Sequence, residues 1–264
     1  MLTRLLPWLY AKLRVGRWLR NPLLERIYLT LLFAYKRYAE DPFAGLALRR
    51  PDLFRGGHIL DVGANVGYTA SIFAAVAWAE YRVYAFEPEP LNLRRLKRVI
   101  EARRLDGRVV VIESAVGDTN GEVELLINES HPGDHRVSAG AAVGARTVHV
   151  PITTLDSFVA QHGVSPVRFI KIDVQGLELA VSRGMNGVIE ANRRIAVAFE
   201  YHEPSARAWG YGASDLIDFY AKRGFDLFVL NHRGEMLEAS ESEIARVHEH
   251  RGYVDLLAVR EGAD

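Results

Sequence analysis

A glycine-bearing turn, an acidic residue one apolar run later and two clusters of ionisable residues carry the chemistry of this sequence. The turn is Asp61-Val62-Gly63-Ala64-Asn65-Val66-Gly67-Tyr68-Thr69. Gly63 and Gly67 permit a tight turn and let a ligand approach the backbone with no Cβ in the way. Phe86-Glu87-Pro88 follows, with Glu87 26 residues after Asp61. A carboxylate there can accept both hydroxyls of a ribose. The turn is not the dinucleotide pattern Gly-x-Gly-x-x-Gly, because Asn65 stands where the second glycine belongs. A ligand with ribose but no pyrophosphate fits better, and S-adenosylmethionine is one. The competing reading is a plain strand-to-helix turn, with Glu87 a solvated strand-end carboxylate. Further on, Lys171 and Asp173 end one apolar run, and Glu200, His202 and Glu203 end the next.

These groups need elements to hold them. His58–Val62, Arg82–Phe86 and Val109–Glu113 read as short strands, with helices over Tyr68–Ala79 and Leu91–Arg104 between them. Alternating strands and helices imply right-handed crossovers and a mostly parallel sheet. Glu122–Ile127 and Thr147–Val150 break the rhythm and predict an antiparallel insertion around a Gly-, Ala- and His-bearing loop, about Asn128–Ala145. That loop holds His131, Asp134, His135 and Arg136 and reads either as a lid over a bound substrate or as a surface excursion. Strands at Val167–Ile172, Ile195–Phe199, Phe225–Leu230 and Tyr253–Val259 follow, the last expected to be antiparallel. Helices are expected near Thr154–Gln161, Leu177–Arg183 and Ser214–Arg223.

Two helical patterns precede this unit. Leu2, Leu5, Leu6, Leu9 and Leu13 form one stripe. Asn21-Pro22 then reads as a cap with proline at the first helical position, and Leu24 to Tyr38 continue an apolar face. Pro42–Gly57, with Pro51, Gly56 and Gly57, reads as a linker. The expected organisation is a helical extension over 1–50 and a catalytic domain over 51–264.

The 264 residues carry 33 basic and 33 acidic groups and about half are apolar, the composition of a globular chain. No apolar run approaches a membrane span, and Arg4, Pro7, Lys12, Arg14 and Arg17 interrupt any secretory apolar core. There are no cysteines, which excludes disulfides, thiolate zinc sites and a cysteine nucleophile. The expected location is cytoplasmic. Charge is uneven, however: residues 1–50 are +7 and the remainder −7. That basic, leucine-striped segment admits three readings: docking on the rest of the chain, peripheral contact of residues 1–40 with an anionic membrane, or a partner or dimer interface.

Asp61–Gly67 resembles the first motif of class I S-adenosylmethionine-dependent methyltransferases. Phe86-Glu87-Pro88 with Asn92, Ser114-Ala115-Val116-Gly117-Asp118, Thr154-Leu155-Asp156-Ser157-Phe158 and Phe169–Glu178 resemble the FkbM family in particular. The resemblance runs from about His58 to Glu203. It implies an α/β, Rossmann-like sheet of seven strands, mostly parallel with the last reversed. It also implies that Asp61, Gly63, Asn65 and Gly67 surround the methionine part of S-adenosylmethionine, with Ala64, Tyr68, Thr69 and Pro88 in the same cofactor set. Glu87 would hold the ribose, and Ser114, Ala115 and Val116 would flank the adenine.

Transfer of a methyl to a hydroxyl needs alignment and a base, the latter worth about 10²–10⁴-fold. His202 has the ordinary pKa best suited to that work near neutral pH. Asp173 could serve as the base or hold the cofactor's amino group, and Lys171 could steer an anionic acceptor or pair with Asp173 or Glu178. Glu200 completes the candidate catalytic set. Asp173, Glu200 and His202 are suitable ligand types for a divalent ion. Many relatives, however, carry a glutamate where this chain has Gln175, and no metal is expected. The expected acceptor is a hydroxyl on a sugar, glycan or secondary metabolite, with no nucleic acid as partner. The alternatives are a non-catalytic S-adenosylmethionine-binding scaffold and a nucleotide-dependent oxidoreductase.

Overall fold

The computed structural model describes residues 21–128, 135–138 and 146–262. The Leu2–Leu13 stripe and most of the Asn128–Ala145 loop lie outside the described residues. Helix α1 (Pro22–Tyr35) starts at Asn21, whose side chain accepts the Leu23 N–H at 2.9 Å, as the Asn-Pro pair predicts. A wider turn over Lys36–Glu40 leads to α2 (Phe43–Arg49) and a tight turn over Pro51–Phe54. Then β1 (His58–Val62), α3 (Tyr68–Val76), β2 (Val83–Phe86), α4 (Pro90–Ala102) and β3 (Val109–Ile112) alternate. The insertion supplies β4 (Ala115–Val116), β5 (Gly121–Leu126), β6 (Arg136–Val137) and β7 (Thr147–Thr153). Alternation resumes with α5 (Leu155–His162), β8 (Val167–Ile172), α6 (Glu178–Arg183), α7 (Asn186–Ala191), β9 (Ile195–Tyr201), α8 (Glu203–Ala208), α9 (Ala213–Ala221) and β10 (Asp226–Leu230). The chain closes with β11 (Met236–Glu238), α10 (Glu241–Arg251) and β12 (Val254–Arg260).

The main sheet has the order β11-β10-β12-β9-β8-β1-β2-β3. Strands β3, β2, β1, β8 and β9 are mutually parallel, and β12 runs antiparallel between β9 and β10. This is the expected seven-strand sheet with its last strand reversed. The hairpin strand β11 adds an eighth, too short to show as periodicity in the sequence. The insertion forms a second sheet, β4-β7-β5-β6, in which β5 and β7 pair antiparallel as expected. All six residues of β8 are buried, as a central parallel strand covered on both faces must be. Strand order reverses at β1, which lies between β2 and β8. In open α/β sheets, ligands bind at the strands' carboxyl ends beside such a switch.

Pro42–Gly57 is not a linker. Phe43, Leu46, Leu53 and Phe54 are buried, and the rings of Phe43, Phe54 and Phe73 pack around Phe169 of β8. Proline and glycine mark its turns, but the four apolar side chains between them belong to the core. Helix α1 docks as well: Glu25 is buried and pairs with Arg95 at 2.8 Å and Arg98 at 2.6 Å, both on α4. Phe33 meets Tyr68 edge to face at 5.4 Å.

Candidate functional site

The turn after β1 is held open by backbone geometry. Gly63, Asn65 and Gly67 all have positive φ, +77°, +50° and +88°. A Cβ on Gly63 would lie 1.9 Å from the carbonyl oxygen of Asp173, so no side chain fits there. The Gly63 and Ala64 N–H groups donate to the Phe86 carbonyl, tying the turn to the end of β2. Glu87 then locks the two together: one oxygen accepts the Asn65 N–H at 2.8 Å, the other the Glu89 N–H at 2.9 Å. Burial pushes the Glu87 carboxyl up to about 7, against these two hydrogen bonds. Glu89 caps α4 through the Asn92 N–H. Beside Glu87 opens a cleft of about 590 Å³, solvent at its mouth included. Gly63, Asn65, Glu87, Pro88, Ser114, Ala115, Val116 and Asp173 all line it, so three successive strand ends converge as the sequence predicts.

Other residues of the expected cofactor set stand behind that wall. Asp61 is fully buried, accepts the Thr69 hydroxyl at 2.7 Å and lies 3.7 Å from the Lys171 ammonium. Burial raises its pKa, opposed by Lys171 and Thr69. Gly67 packs against Leu96, where a Cβ would approach to 2.7 Å. Ala64 is buried, and Tyr68 faces α1. Among the residues that line the cleft, Asp61, Ala64, Gly67, Tyr68 and Thr69 do not appear; they shape the turn.

The end of β8 is a dense ionic cluster. Lys171, 4% exposed, donates to the Gly63 carbonyl at 2.8 Å and pairs with Asp173 at 3.2 Å. Burial opposes its charge, but Asp173 and Asp61 hold the ammonium above the usual lysine range. Burial would raise Asp173 in turn, yet Lys171 and Lys36 keep it below the usual carboxylate range. Gln175, at φ +56°, donates its amide to Asp173 at 3.1 Å and to Glu200 at 3.0 Å. An amide can bridge two carboxylates where a third carboxylate would repel both. Burial, with Asp173, Asp255 and Glu178 nearby, pushes Glu200 well above its ordinary value.

Asp173 also borders a second opening, lined by Lys36, Glu40, Asp41, Lys171, Glu200, Tyr253 and Asp255. Burial pushes Asp41 up to about 6 and Asp255 up to about 7. Asp173, Lys171 and Glu200 are thus brought together as the sequence predicts. His202 is not among the residues lining either opening; its Nδ1 lies 2.7 Å from the Ser205 hydroxyl. Among the described residues no three His, Asp or Glu side chains form a metal-ligand group.

The sequence reading missed Lys36, Asp41, Tyr253 and Asp255 as lining the second opening; they come from distant segments with no motif around them. It did flag His135 and Arg136, and these line the first cleft beside Val137 from the insertion.

A family model for the methyltransferase FkbM domain matches residues 61–227, more than half of the chain. The chain belongs to the FkbM methyltransferase family. This bears out the resemblance carried by the Asp61–Gly67, Glu87, Ser114 and Phe169–Glu178 motifs. A hexuronic acid methyltransferase, AglP of Haloferax volcanii, is 29% identical over 141 residues, covering 52% of this chain and 53% of that protein. The chain therefore spans about half the length of this curated relative. Among solved structures, a methyltransferase FkbM from Methylobacillus flagellatus KT is 18% identical with a TM-score of 0.51, covering 88% of this chain and 52% of that one. An O-methyltransferase from Bacillus cereus in complex with SAH is 16% identical with a TM-score of 0.51, covering 91% of each chain. These likenesses bear out the α/β class I methyltransferase fold.

Proposed function

We propose that this FkbM-family protein transfers the methyl group of S-adenosylmethionine to a hydroxyl of a sugar-type acceptor. The observation that carries the reading is that Asp173 lines both openings, the glycine-turn cleft and the ionic one. The cleft residues fit the cofactor: Glu87 is a buried carboxylate beside an open space, and at Gly63 the backbone is bare of a side chain. When bound, the cofactor supplies an electrophilic methyl group, displaced in line as a new C–O bond forms and the S–C bond breaks.

The chain's own groups do the rest. Asp173 takes the acceptor's proton and passes it to water, so the products are a methyl ether, S-adenosylhomocysteine and a proton. Lys171 keeps Asp173 ionised and in place, and Gln175 ties it to Glu200. His202, just past the end of β9, is the alternative base. The second opening presents carboxylate acceptors to hydroxyl donors, as a sugar requires, and Lys36 offers a cation to an acidic one. The Haloferax relative is a hexuronic acid methyltransferase, and a hexuronic acid is of that sugar type.

The test is incubation with methyl-labelled S-adenosylmethionine and a panel of neutral sugars, hexuronic acids and their glycosides. Labelled methyl ether and S-adenosylhomocysteine should appear in equal amounts. Tight cofactor binding with no transfer to any acceptor would leave a binding scaffold. Binding of NAD in place of S-adenosylmethionine would leave an oxidoreductase.

A further inference from the structure

Helix α1 is apolar on more than one face. Its inner arc, with Glu25, Tyr28 and Phe33, is buried against the catalytic domain. On the outer arc, Leu23 is 65% exposed, Ile27 48% and Leu31 51%. Their spacing of four places them in one row along the helix. A helix apolar all round is ordinarily buried all round, so the outer row lacks the cover its composition calls for. Beyond the helix, Tyr38 and Leu48 are each 79% exposed and border an open groove that Arg37, Arg55 and Arg103 also line.

Charge decides what covers this surface. Arg26 flanks the leucine row and is exposed. The one acid of α1, Glu25, is buried and committed to Arg95 and Arg98. Residues 1–20 carry Arg4, Lys12, Arg14, Arg17 and Arg20 with no acid at all, beside Trp8, Tyr10 and Trp18. Folding that segment back over α1, or pairing α1 with a second copy, sets like charges together. An anionic surface complements both. No helix among the described residues is long and apolar enough to cross a membrane. An exposed apolar row bordered by cations instead matches a helix lying in the plane of a bilayer interface.

We propose that the outer face of α1 docks the protein on the surface of an anionic bilayer. The same extension supplies Lys36, Glu40 and Asp41 to the second opening. The binding itself does not depend on which acceptor is methylated.

The full-length protein is to be sedimented with vesicles of phosphatidylcholine alone and of phosphatidylcholine mixed with phosphatidylglycerol. It should bind the mixed vesicles, and added salt should release it. Replacing the row together (Leu23→Ser, Ile27→Ser, Leu31→Ser) should weaken binding about tenfold or more, and Arg26→Ala with Arg37→Ala should weaken it by about the same factor. Thermal melts of both variants should match the parent, because the changed side chains are exposed. Three outcomes overturn the proposal. The parent protein stays in the supernatant with mixed vesicles. The serine variant binds as the parent does. Or the parent is a dimer by light scattering that the serine variant splits, with no vesicle binding by either.

Discussion

The two openings that meet at Asp173 are built in different ways. The first takes most of its walls from Gly63 and Asn65, Phe86–Pro88 and Ser114–Val116, at the ends of three strands that follow one another in sequence, and is completed by His135–Val137 of the insertion and Asp173–Gln175 after β8. Its recognition elements are largely backbone, namely a bare glycine and a turn tied down by N–H groups, with Glu87 and the shared Asp173 as its carboxylates. The second opening draws on Lys36–Phe43, Lys171–Asp173, Glu200 and Tyr253–Asp255, which tertiary packing brings together. It is defined by side-chain charge: Glu40, Asp41, Asp173, Glu200 and Asp255 against Lys36 and Lys171. A cofactor common to many enzymes needs a fixed backbone shape, whereas an acceptor particular to one enzyme is selected by replaceable side chains. Substitutions in the first opening should therefore act on cofactor affinity, and those in the second on turnover and acceptor affinity.

The largest effect is expected at the junction. Asp173→Asn should lower turnover by about 10²–10⁴-fold, the range for loss of a positioned base. S-adenosylhomocysteine affinity, read by calorimetry, should fall by less than about tenfold. His202→Ala is the control one strand over and should retain most of the activity. If His202→Ala loses the larger factor instead, the base lies outside both openings and Asp173 is a structural anion that holds Lys171.

Next is Glu87→Ala. It should weaken S-adenosylhomocysteine binding by about 1–3 kcal/mol, the scale of a lost charge-assisted hydrogen bond. Turnover at saturating cofactor should stay near that of the parent. Unchanged affinity in a folded variant would remove the ribose assignment and with it the division of labour between the openings.

How much of this was legible in the sequence follows from the same division. Glycine spacing, a strand-end carboxylate and alternating apolar runs are local signals, so the first opening and the order of the main sheet could be read directly. Gly63 is required by contact with Asp173, 110 residues away, yet its presence in a turn is visible without that contact. Asp41 and Asp255 offer no such trace: each sits among residues that specify a turn or a buried strand, and only the packing of α2 and β12 near β8 gives them a site. The Pro42–Gly57 segment was misread for a related reason. Its prolines and glycines are punctuation, and its four core side chains are too few for a period. Asp61 and Tyr68 were legible as part of the turn but not as to direction, since motif spacing does not say which side of a turn faces the cleft.

A third expectation concerns pH. The folded-state pKa of Glu87 is raised to about 7, above its ordinary value. Below that pH the carboxyl is protonated and loses an acceptor for ribose hydroxyls. S-adenosylhomocysteine affinity should therefore fall as pH drops through about 7, by at most about tenfold per unit, and level off above it. Stability of the cofactor-free protein runs the other way. Between the ordinary glutamate value and about 7 the folded state holds a proton the unfolded state has released, so Glu87 contributes less stability as pH rises across that window. Asp255, raised to about 7, and Asp41, raised to about 6, act in the same direction from the second opening. Glu87→Gln should flatten the affinity profile while leaving the contributions of Asp255 and Asp41 to the stability profile. An affinity profile that keeps its slope in Glu87→Gln would assign the titration to the second opening instead.

The smallest effect tests whether the helical extension belongs to the second opening in function as well as in place. Lys36 lies at that opening, 3.9 Å from Glu40, with part of its side chain in solvent. It is also one of the two lysines that hold Asp173 ionised, the weaker of the pair after Lys171. Lys36→Met keeps the length of the side chain and removes its charge. The ion pair with Glu40 is partly screened, and folding stability should move by about 1 kcal/mol or less. An acceptor that passes Lys36 should feel the loss more, through a KM raised about three- to tenfold, with a larger rise for a hexuronic acid than for a neutral sugar. Cofactor affinity should not change, since among the residues lining the first cleft Lys36 does not appear. Initial rates against acceptor concentration at saturating cofactor, set beside calorimetry with S-adenosylhomocysteine, separate these quantities. A variant with normal acceptor KM and weakened cofactor binding would mean that the two openings are one site, with the extension serving the cofactor.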